Sequence, residues 1–123
     1  MSYYSKFLHH TGEIPIRIRS FNSLRSLNLS RNHLEGSMPK ALSNISTLEV
    51  LDLAKNNLSG LIPEELSQLH WLHTFDVSSN SLCGSISTRT KFSTFDTTSF
   101  QSNKCLRGCP LDLCSNQREK PIT

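Results

Sequence analysis

Apolar side chains recur every 24 residues through the centre of the chain, beginning at Leu24. The matching positions form seven columns: Leu24, Leu48 and Leu72; Leu27, Leu51 and Phe75; Leu29, Leu53 and Val77; Asn32, Asn56 and Asn80; Leu34, Leu58 and Leu82; Gly36, Gly60 and Gly84; Met38, Ile62 and Ile86. Chance does not produce such agreement across three copies. The period therefore indicates a repeat architecture in which one short unit is copied along the chain.

Each unit begins with alternating apolar and polar residues, as in Leu27-Asn28-Leu29-Ser30, which predicts a short strand with one buried face. Such a strand buries little by itself, so consecutive units must stack with their strands parallel. The predicted strands are approximately Leu24–Ser30, Leu48–Ala54 and Leu72–Ser78. After each Pro, apolar residues three apart predict a helical or 3-10 turn at Lys40–Ile45 and Glu64–Leu69.

The asparagine column has a structural explanation. The chain turns inward after each strand and leaves backbone groups away from water, and an Asn amide supplies both a donor and an acceptor for them. We therefore interpret Asn32, Asn56 and Asn80 as buried structural residues. The glycine column is typical of positions that need a positive φ or a close backbone approach.

The repeat resembles the plant-specific leucine-rich repeat, whose consensus is LxxLxxLxLSxNxLxGxIPxxLxxL. The segments LRSLNLSRNHLEGSMPKALSNI and LEVLDLAKNNLSGLIPEELSQL are close to full copies, and LHTFDVSSNSLCGSI is a third. The resemblance covers about residues 12 to 114. It implies an α/β repeat fold: a right-handed solenoid with a short parallel concave sheet, a second short sheet at the xGxIP segment and an irregular or 3-10 convex side.

The phase of the repeat divides the chain into four parts. Residues 1–11 lack the pattern and are predicted as an irregular leader; residues 12–91 hold the repeats, with a partial first unit and full units from Leu24, Leu48 and Leu72. Because Gly12 and Ile14 already match the second half of a unit, the N-terminus is predicted to be truncated, without its first strand. Residues 92–114 are predicted to form a C-terminal cap, and residues 115–123 a disordered tail.

All four cysteines, Cys83, Cys105, Cys109 and Cys114, lie in the last third of the chain. An even number at a solenoid end favours two disulfides, of three formal pairings. A bridge from Cys83 to Cys105 would pin the cap to the last repeat. The alternatives are free thiols and a zinc site, for which the spacings of the last three cysteines are poor.

The cap resembles those of plant polygalacturonase-inhibiting proteins and receptor-like proteins in FDVSSNSLCGSI, FSTFDTTSF and NKCLRGCPLDLC. Arg107 departs from this pattern, because it occupies a position at which the family has cysteine. Cys109 then takes the place of the missing partner of Cys114, which leaves the second bridge open.

Charge and hydropathy exclude several classes of function. The formal net charge of +3 is spread along the chain, so a nucleic-acid partner is not expected. No apolar run approaches the ~20 residues of a membrane span. Met1–Ser20 carries Lys6, Glu13 and Arg17 where a signal peptide would be apolar. This start contrasts with the cysteines and with three N-glycosylation sequons at Asn28, Asn44 and Asn57, which are typical of secreted proteins.

The sequence gives little support to catalysis. His70 and His73 flank the third strand, but surface histidines beside a buried leucine explain them better than a metal site does. Asp52 and Asp76 occupy equivalent positions in adjacent units, as a repeat dictates, and are interpreted as part of a polar surface. We therefore expect no enzyme activity, no cofactor and no metal.

The predicted function is recognition through the polar positions of the concave face. These are Ser26, Asn28, Ser30, Arg31, Val50, Asp52, Ala54, Lys55, Thr74, Asp76, Ser78 and Ser79. The resemblance implies part of the ectodomain of a plant receptor-like protein or receptor-like kinase, acting in signalling or defence on the extracellular side of the plasma membrane. The partners would be a peptide or protein ligand, a co-receptor ectodomain or a microbial glycosidase. The alternatives are a polygalacturonase inhibitor and a non-functional remnant.

Overall fold

The computed structural model describes residues 12–87 and 91–111, together with the backbone of Ser2–Tyr3. One parallel sheet contains β1 (Ser2–Tyr3), β2 (Ser26–Asn28), β4 (Val50–Asp52) and β6 (Thr74–Asp76), in that order. A second parallel sheet contains β3 (Glu35–Ser37), β5 (Asn57–Gly60), β7 (Ser81–Ser85) and β8 (Cys105–Arg107). The two sheets confirm the predicted solenoid.

Short 3-10 helices close the turns on the convex side, as predicted. They span Ile16–Ser20, Lys40–Asn44, Glu64–Gln68, Lys91–Thr94 and Thr97–Ser99. The first three each follow a proline in extended conformation, which fixes the direction in which the helix starts.

The register of the first sheet follows the 24-residue period. Leu27 pairs with Leu51 and Leu51 with Phe75, so each column becomes a row of side chains across the stack. All three of these side chains are buried. Stacking therefore joins the small apolar faces of single units into one continuous core.

The N-terminal segment corrects one prediction. Ser2 pairs with Ser26 and Tyr3 with Leu27, so a strand in the same register stands where an irregular leader and a missing first strand were predicted. The other residues of 1–11 lie outside the described part of the chain.

The asparagines take the predicted structural role and form a ladder along the solenoid, although only Asn80 is buried and Asn32 and Asn56 are half-buried. The Asn56 amide nitrogen donates to the carbonyls of Leu29 and Leu53, one on the preceding turn and one on its own. Its Oδ1 accepts from the backbone N–H groups of Asn32 and Leu34 at 2.9 Å each. Asn56 and Asn80 thereby each satisfy the inward-turning backbone of two adjacent turns.

A fourth asparagine, Asn103, extends this ladder into the cap. Its amide nitrogen donates to the carbonyls of Val77 and Phe100, and its Oδ1 accepts from the N–H of Leu82 at 2.9 Å. The backbone N–H of Val77 also donates to the carbonyl of Ser99. The predicted cap is therefore a modified fourth turn of the solenoid.

Aromatic rings fill the core beneath this last turn. The Phe75 ring centroid lies 5.2 Å from that of Phe92, 5.7 Å from Phe95 and 5.9 Å from Phe100. Lys91 also links the cap to the last repeat, because its Nζ donates to the carbonyls of Leu69 and Leu72. Burial lowers the pKa of the Lys91 ammonium from its ordinary value.

The glycine that follows β8 is enclosed by backbone atoms, whereas Gly60 in the repeats is not. Gly108 has φ +102°, and an added Cβ would lie 3.0 Å from the Ile86 carbonyl oxygen, whereas a Cβ on Gly60 (φ +81°) would approach nothing closer than 3.9 Å. We expect Gly60→Ala to lower the free energy of unfolding by about 1 kcal/mol, from left-handed strain alone. Gly108→Ala should cost about 2 kcal/mol or more, because the backbone must also shift. Equal losses in urea denaturation would contradict this difference.

Candidate functional site

The solvent face of the first sheet presents rows of polar side chains in register. Asn28 lies beside Asp52 and Asp52 beside Asp76, with Asn28 exposed and the two aspartates half-buried. A second row on the same strands contains Ser26, Val50 and Thr74. Because neighbouring strands lie ~5 Å apart, each row offers closely spaced groups to a bound chain.

The Asn28–Asp52–Asp76 row also supports the turn that follows the strands. Asn28 Oδ1 accepts from the N–H of Ser30, and Asp76 Oδ1 accepts from the N–H of Ser78. Asp52 Oδ1 accepts from the N–H of Ala54 at 3.0 Å. One carboxylate or amide oxygen per turn is thus engaged locally, while the rest of each polar group faces solvent.

Ala54 does not belong on the predicted contact surface, because its side chain is 6% exposed. Backbone hydrogen bonds hold the turns on either side of Ala54 at strand separation. The Arg31 N–H donates to the Ala54 carbonyl, and the Lys55 N–H donates to the Ser78 carbonyl. A methyl group is too short to project beyond neighbours held so closely. Sequence alternation alone could not reveal this.

The residues that precede the ladder asparagines reverse the chain in the left-handed conformation. Arg31, Lys55 and Ser79 have φ values of 61°, 60° and 57°. Arg31 and Lys55 are exposed, so two cations stand on adjacent turns at the edge of the concave face. Ser79 continues their column, and Ser30, Ser78 and Ser79 are half-buried.

The three sequons occupy different surroundings. Asn44 is exposed at the end of a 3-10 helix on the convex side. Asn57 lies on β5, where its Oδ1 accepts from the Ser81 hydroxyl at 3.1 Å, and Asn28 lies on the concave face. Glycosylation at all three stays a prediction.

The cysteines tie the last two turns together. Cys83 and Cys105 are in register on β7 and β8 and form a disulfide, with Cα atoms 4.4 Å apart. Cys109 is also disulfide-bonded. The predicted role of Cys114 lies outside the described residues.

Removing the Cys83–Cys105 bridge should loosen the cap. The bridge closes a segment with a sequence separation of 22 residues, for which loop-closure entropy gives roughly 3 kcal/mol. We expect the double substitution Cys83→Ser and Cys105→Ser to lower the free energy of unfolding by about that amount, measured by urea denaturation. An unchanged midpoint would show that the modified fourth turn holds without it.

The histidines and acidic residues do not form a metal centre in the described ranges. His70 and His73 are both exposed, and His73 Nδ1 lies 3.0 Å from the Thr74 hydroxyl. Residues 12–87 and 91–111 contain no group of three or more His, Cys, Asp or Glu placed to hold a metal ion. No helix of the described chain has the length and apolarity needed to cross a bilayer.

Stacked turns, two parallel sheets and an asparagine ladder define a solenoid repeat protein. The sequence profile described as Leucine rich repeat matches residues 22–82. The chain belongs to the leucine-rich repeat family, and its repeat is of the plant type. No curated protein gives a significant sequence match.

Solved structures of plant receptor ectodomains share this fold. A chain of the BIR3–SERK2 complex from Arabidopsis thaliana is 37% identical with a TM-score of 0.78, covering 83% of this chain and 54% of that one. The BIR2 ectodomain from Arabidopsis thaliana is 36% identical with a TM-score of 0.78, covering 84% and 54%.

A third similar structure is the complex of the Arabidopsis receptor kinase HAESA with the peptide hormone IDA and the co-receptor SERK1. It is 36% identical with a TM-score of 0.71, and the alignment covers 84% of this chain and 17% of that one. The chain therefore spans about half the length of the first two matched chains and 17% of the third.

Proposed function

We propose that this chain is a non-catalytic recognition module from a plant leucine-rich repeat receptor ectodomain. The observation that carries the proposal is the in-register polar face of the first sheet, with Asp52 and Asp76 along its strands and Lys55 at its edge. These groups reach solvent on a scaffold fixed by the buried ladder. Such an array suits hydrogen bonding to an extended peptide or a protein loop.

The similar structures support this function. HAESA was crystallised with a peptide hormone and a co-receptor, and BIR3 with SERK2. By analogy, the partners of this chain would be a peptide or protein ligand and a co-receptor ectodomain. Because the concave sheet is only a few strands wide, we expect the chain alone to bind its ligand weakly, below the strength of a standard-size interface.

The disulfides support an extracellular location for this chain. Cys83 and Cys105 are bridged, and Cys109 is also in a disulfide. Such bonds form and persist in oxidising compartments. Signalling at the outer face of the plasma membrane, including a role in defence, fits this chemistry.

Peptide selection followed by paired charge reversals would test the concave face. Peptides from a displayed random library would be selected on the immobilised, disulfide-intact chain and measured by calorimetry. We expect Lys55→Glu, at the concave edge, to weaken the selected peptides about tenfold or more. Arg107→Glu, which reverses another exposed cation but on the second sheet, should leave their affinity unchanged.

Two results would reject this function. Selection of no peptide that binds in solution would remove the recognition role of the chain by itself. Equal weakening by both reversals would place the contact outside the concave face. Inhibition of a polygalacturonase by the chain would instead favour the inhibitor that the cap resembles.

A further inference from the structure

The one tryptophan of the sequence lies on the surface. Trp71 is 69% exposed, on the loop between the Glu64–Gln68 helix and β6. Tryptophan is usually largely buried, because removing its large ring from water is favourable, so an exposed indole is unusual. This exposure distinguishes Trp71 from the aromatic residues Phe75, Phe92 and Phe100, which are buried.

The indole borders an open groove that runs across three turns of the solenoid. Arg25, Thr47, Glu49 and Trp71 line the groove, which has a volume of about 310 Å³. Glu49 N–H donates to the Arg25 carbonyl, and His73 N–H donates to the Glu49 carbonyl, so these turns are stacked at strand separation. The groove is therefore about 10 Å long, twice the strand spacing.

The polar groups of the groove are held in place but face solvent. Arg25 Nε lies 3.5 Å from Glu49 Oε2, and these side chains are 67% and 39% exposed. The Thr47 hydroxyl donates to the Leu24 carbonyl, which fixes its hydrogen and leaves its oxygen lone pairs as acceptors. Donors and acceptors thus stand side by side next to a flat apolar ring.

This combination matches the chemistry of a sugar. A pyranose ring has an apolar face of C–H groups that can lie on an indole, and hydroxyls that both donate and accept. The charges of Arg25 and Glu49 cancel, so an uncharged saccharide fits better than an acidic one, whose carboxylates would face Glu49. The volume is at the small end of ligand sites, which suits a short saccharide segment.

We propose that the groove of Arg25, Thr47, Glu49 and Trp71 binds an uncharged oligosaccharide. One sugar ring stacks on the Trp71 indole, and its hydroxyls bond to the Glu49 carboxylate and the Arg25 guanidinium. The groove lies where the chain enters the strands, whereas Arg31 and Lys55 lie where it leaves them. The charged edge of the concave face at Arg31 and Lys55 is therefore not part of the groove.

The single tryptophan makes the test direct. The full disulfide-intact chain would be titrated with cellohexaose, xylohexaose and mannohexaose while Trp71 fluorescence is recorded, with hexagalacturonate as the acidic comparison. We expect a saturable change with at least one neutral hexasaccharide and a weaker response to hexagalacturonate. No saturable change with any neutral probe, or a response to hexagalacturonate alone, would overturn the proposal.

Variants measured by calorimetry separate stacking from unspecific adhesion. Trp71→Ala should weaken binding about tenfold or more, the effect of losing roughly 1.4 kcal/mol of aromatic contact, and Trp71→Phe should restore part of it. His70→Ala, an exposed neighbour that does not line the groove, and Lys55→Glu should leave sugar affinity unchanged. Circular dichroism would verify that each variant is folded.

Two further outcomes would assign the groove to something else. Equal sugar affinity in the Trp71→Ala variant would remove the indole from the site. A fluorescence change caused by peptides selected on the concave face, with none from the neutral sugars, would make Trp71 part of a protein interface. Either result contradicts a saccharide site, and neither depends on whether the concave face binds peptides.

Discussion

Asn80→Ala is expected to lower the free energy of unfolding by about 4 kcal/mol. The Asn80 amide nitrogen donates to the carbonyls of Leu53 and Val77 at 3.0 Å each, and its Oδ1 accepts from the Leu58 N–H at 2.9 Å. Alanine would leave these buried backbone groups without partners, at ~1–3 kcal/mol for each group that water cannot reach. Urea denaturation followed by circular dichroism would measure the loss.

Two substitutions test whether the ladder is the cause. Asn32 occupies the same column and donates to the Leu29 and Ser30 carbonyls of its own turn, but it is half-buried whereas Asn80 is buried, so Asn32→Ala should cost clearly less. Asn80→Asp keeps the acceptor for Leu58 but removes the donor and buries a charge, and it should be at least as damaging as Asn80→Ala. Equal losses at positions 32 and 80 would show that burial of the bonded backbone groups does not set the cost.

Phe75→Ala is expected to have an effect of similar size, about 4 kcal/mol, and to release the cap. Phe75 is 2% exposed and touches three aromatic rings of the last turn. Removing a buried phenyl ring costs ~3–5 kcal/mol, because the cavity does not fully collapse. Denaturation would record the loss, and increased binding of an apolar dye would report the exposed rings.

Matched substitutions locate this effect at the cap. Phe75→Leu restores the residue type found in the same column at Leu27 and Leu51, and it should recover most of the stability. Phe95→Ala removes a half-buried ring from the same cluster and should cost less than Phe75→Ala. A Phe75→Ala variant that unfolds without dye binding at intermediate urea would contradict separate release of the cap.

The repeated columns were sufficient to predict the core and the first sheet, whereas the second sheet was implied by the family resemblance. Leucines that recur at the same spacing in three short units can be buried only if the units stack. The observed pairs Leu27–Leu51 and Leu51–Phe75 follow that period. The strands are shorter than predicted, for example Val50–Asp52 within Leu48–Ala54. Apolar residues at the ends of a unit are buried by turns as well as by strands, so alternation overestimates strand length.

The two ends of the stack were harder to predict. The sequence around Ser2–Tyr3 has no leucine in the strand columns, yet backbone pairing with Ser26–Leu27 needs none. Asn103 escaped notice because it follows Asn80 by 23 residues, one short of the period, so its column falls out of phase. The motif Phe100-x-x-Asn103, which parallels Val77-x-x-Asn80, was the signal that could have identified it.

The candidate site was predictable in position and less so in detail. Register placed Asn28, Asp52 and Asp76 on one face, but only the structure shows that each also holds the turn after its strand. The groove at Trp71 depends on side chains from three turns and on an ion pair between Arg25 and Glu49. Whether these side chains meet depends on their conformations across neighbouring turns. The spacing of residues in the sequence does not specify those conformations.

The fourth asparagine has a consequence for how this protein can change its length. Asn103 joins the final turn to the turn before it through the same kind of bonds that join the inner turns to one another. A duplication or deletion of one whole 24-residue segment would therefore recreate an equivalent junction at the splice. The number of turns can then change by whole units, and with it the area offered to partners, while the Asn103 junction is kept.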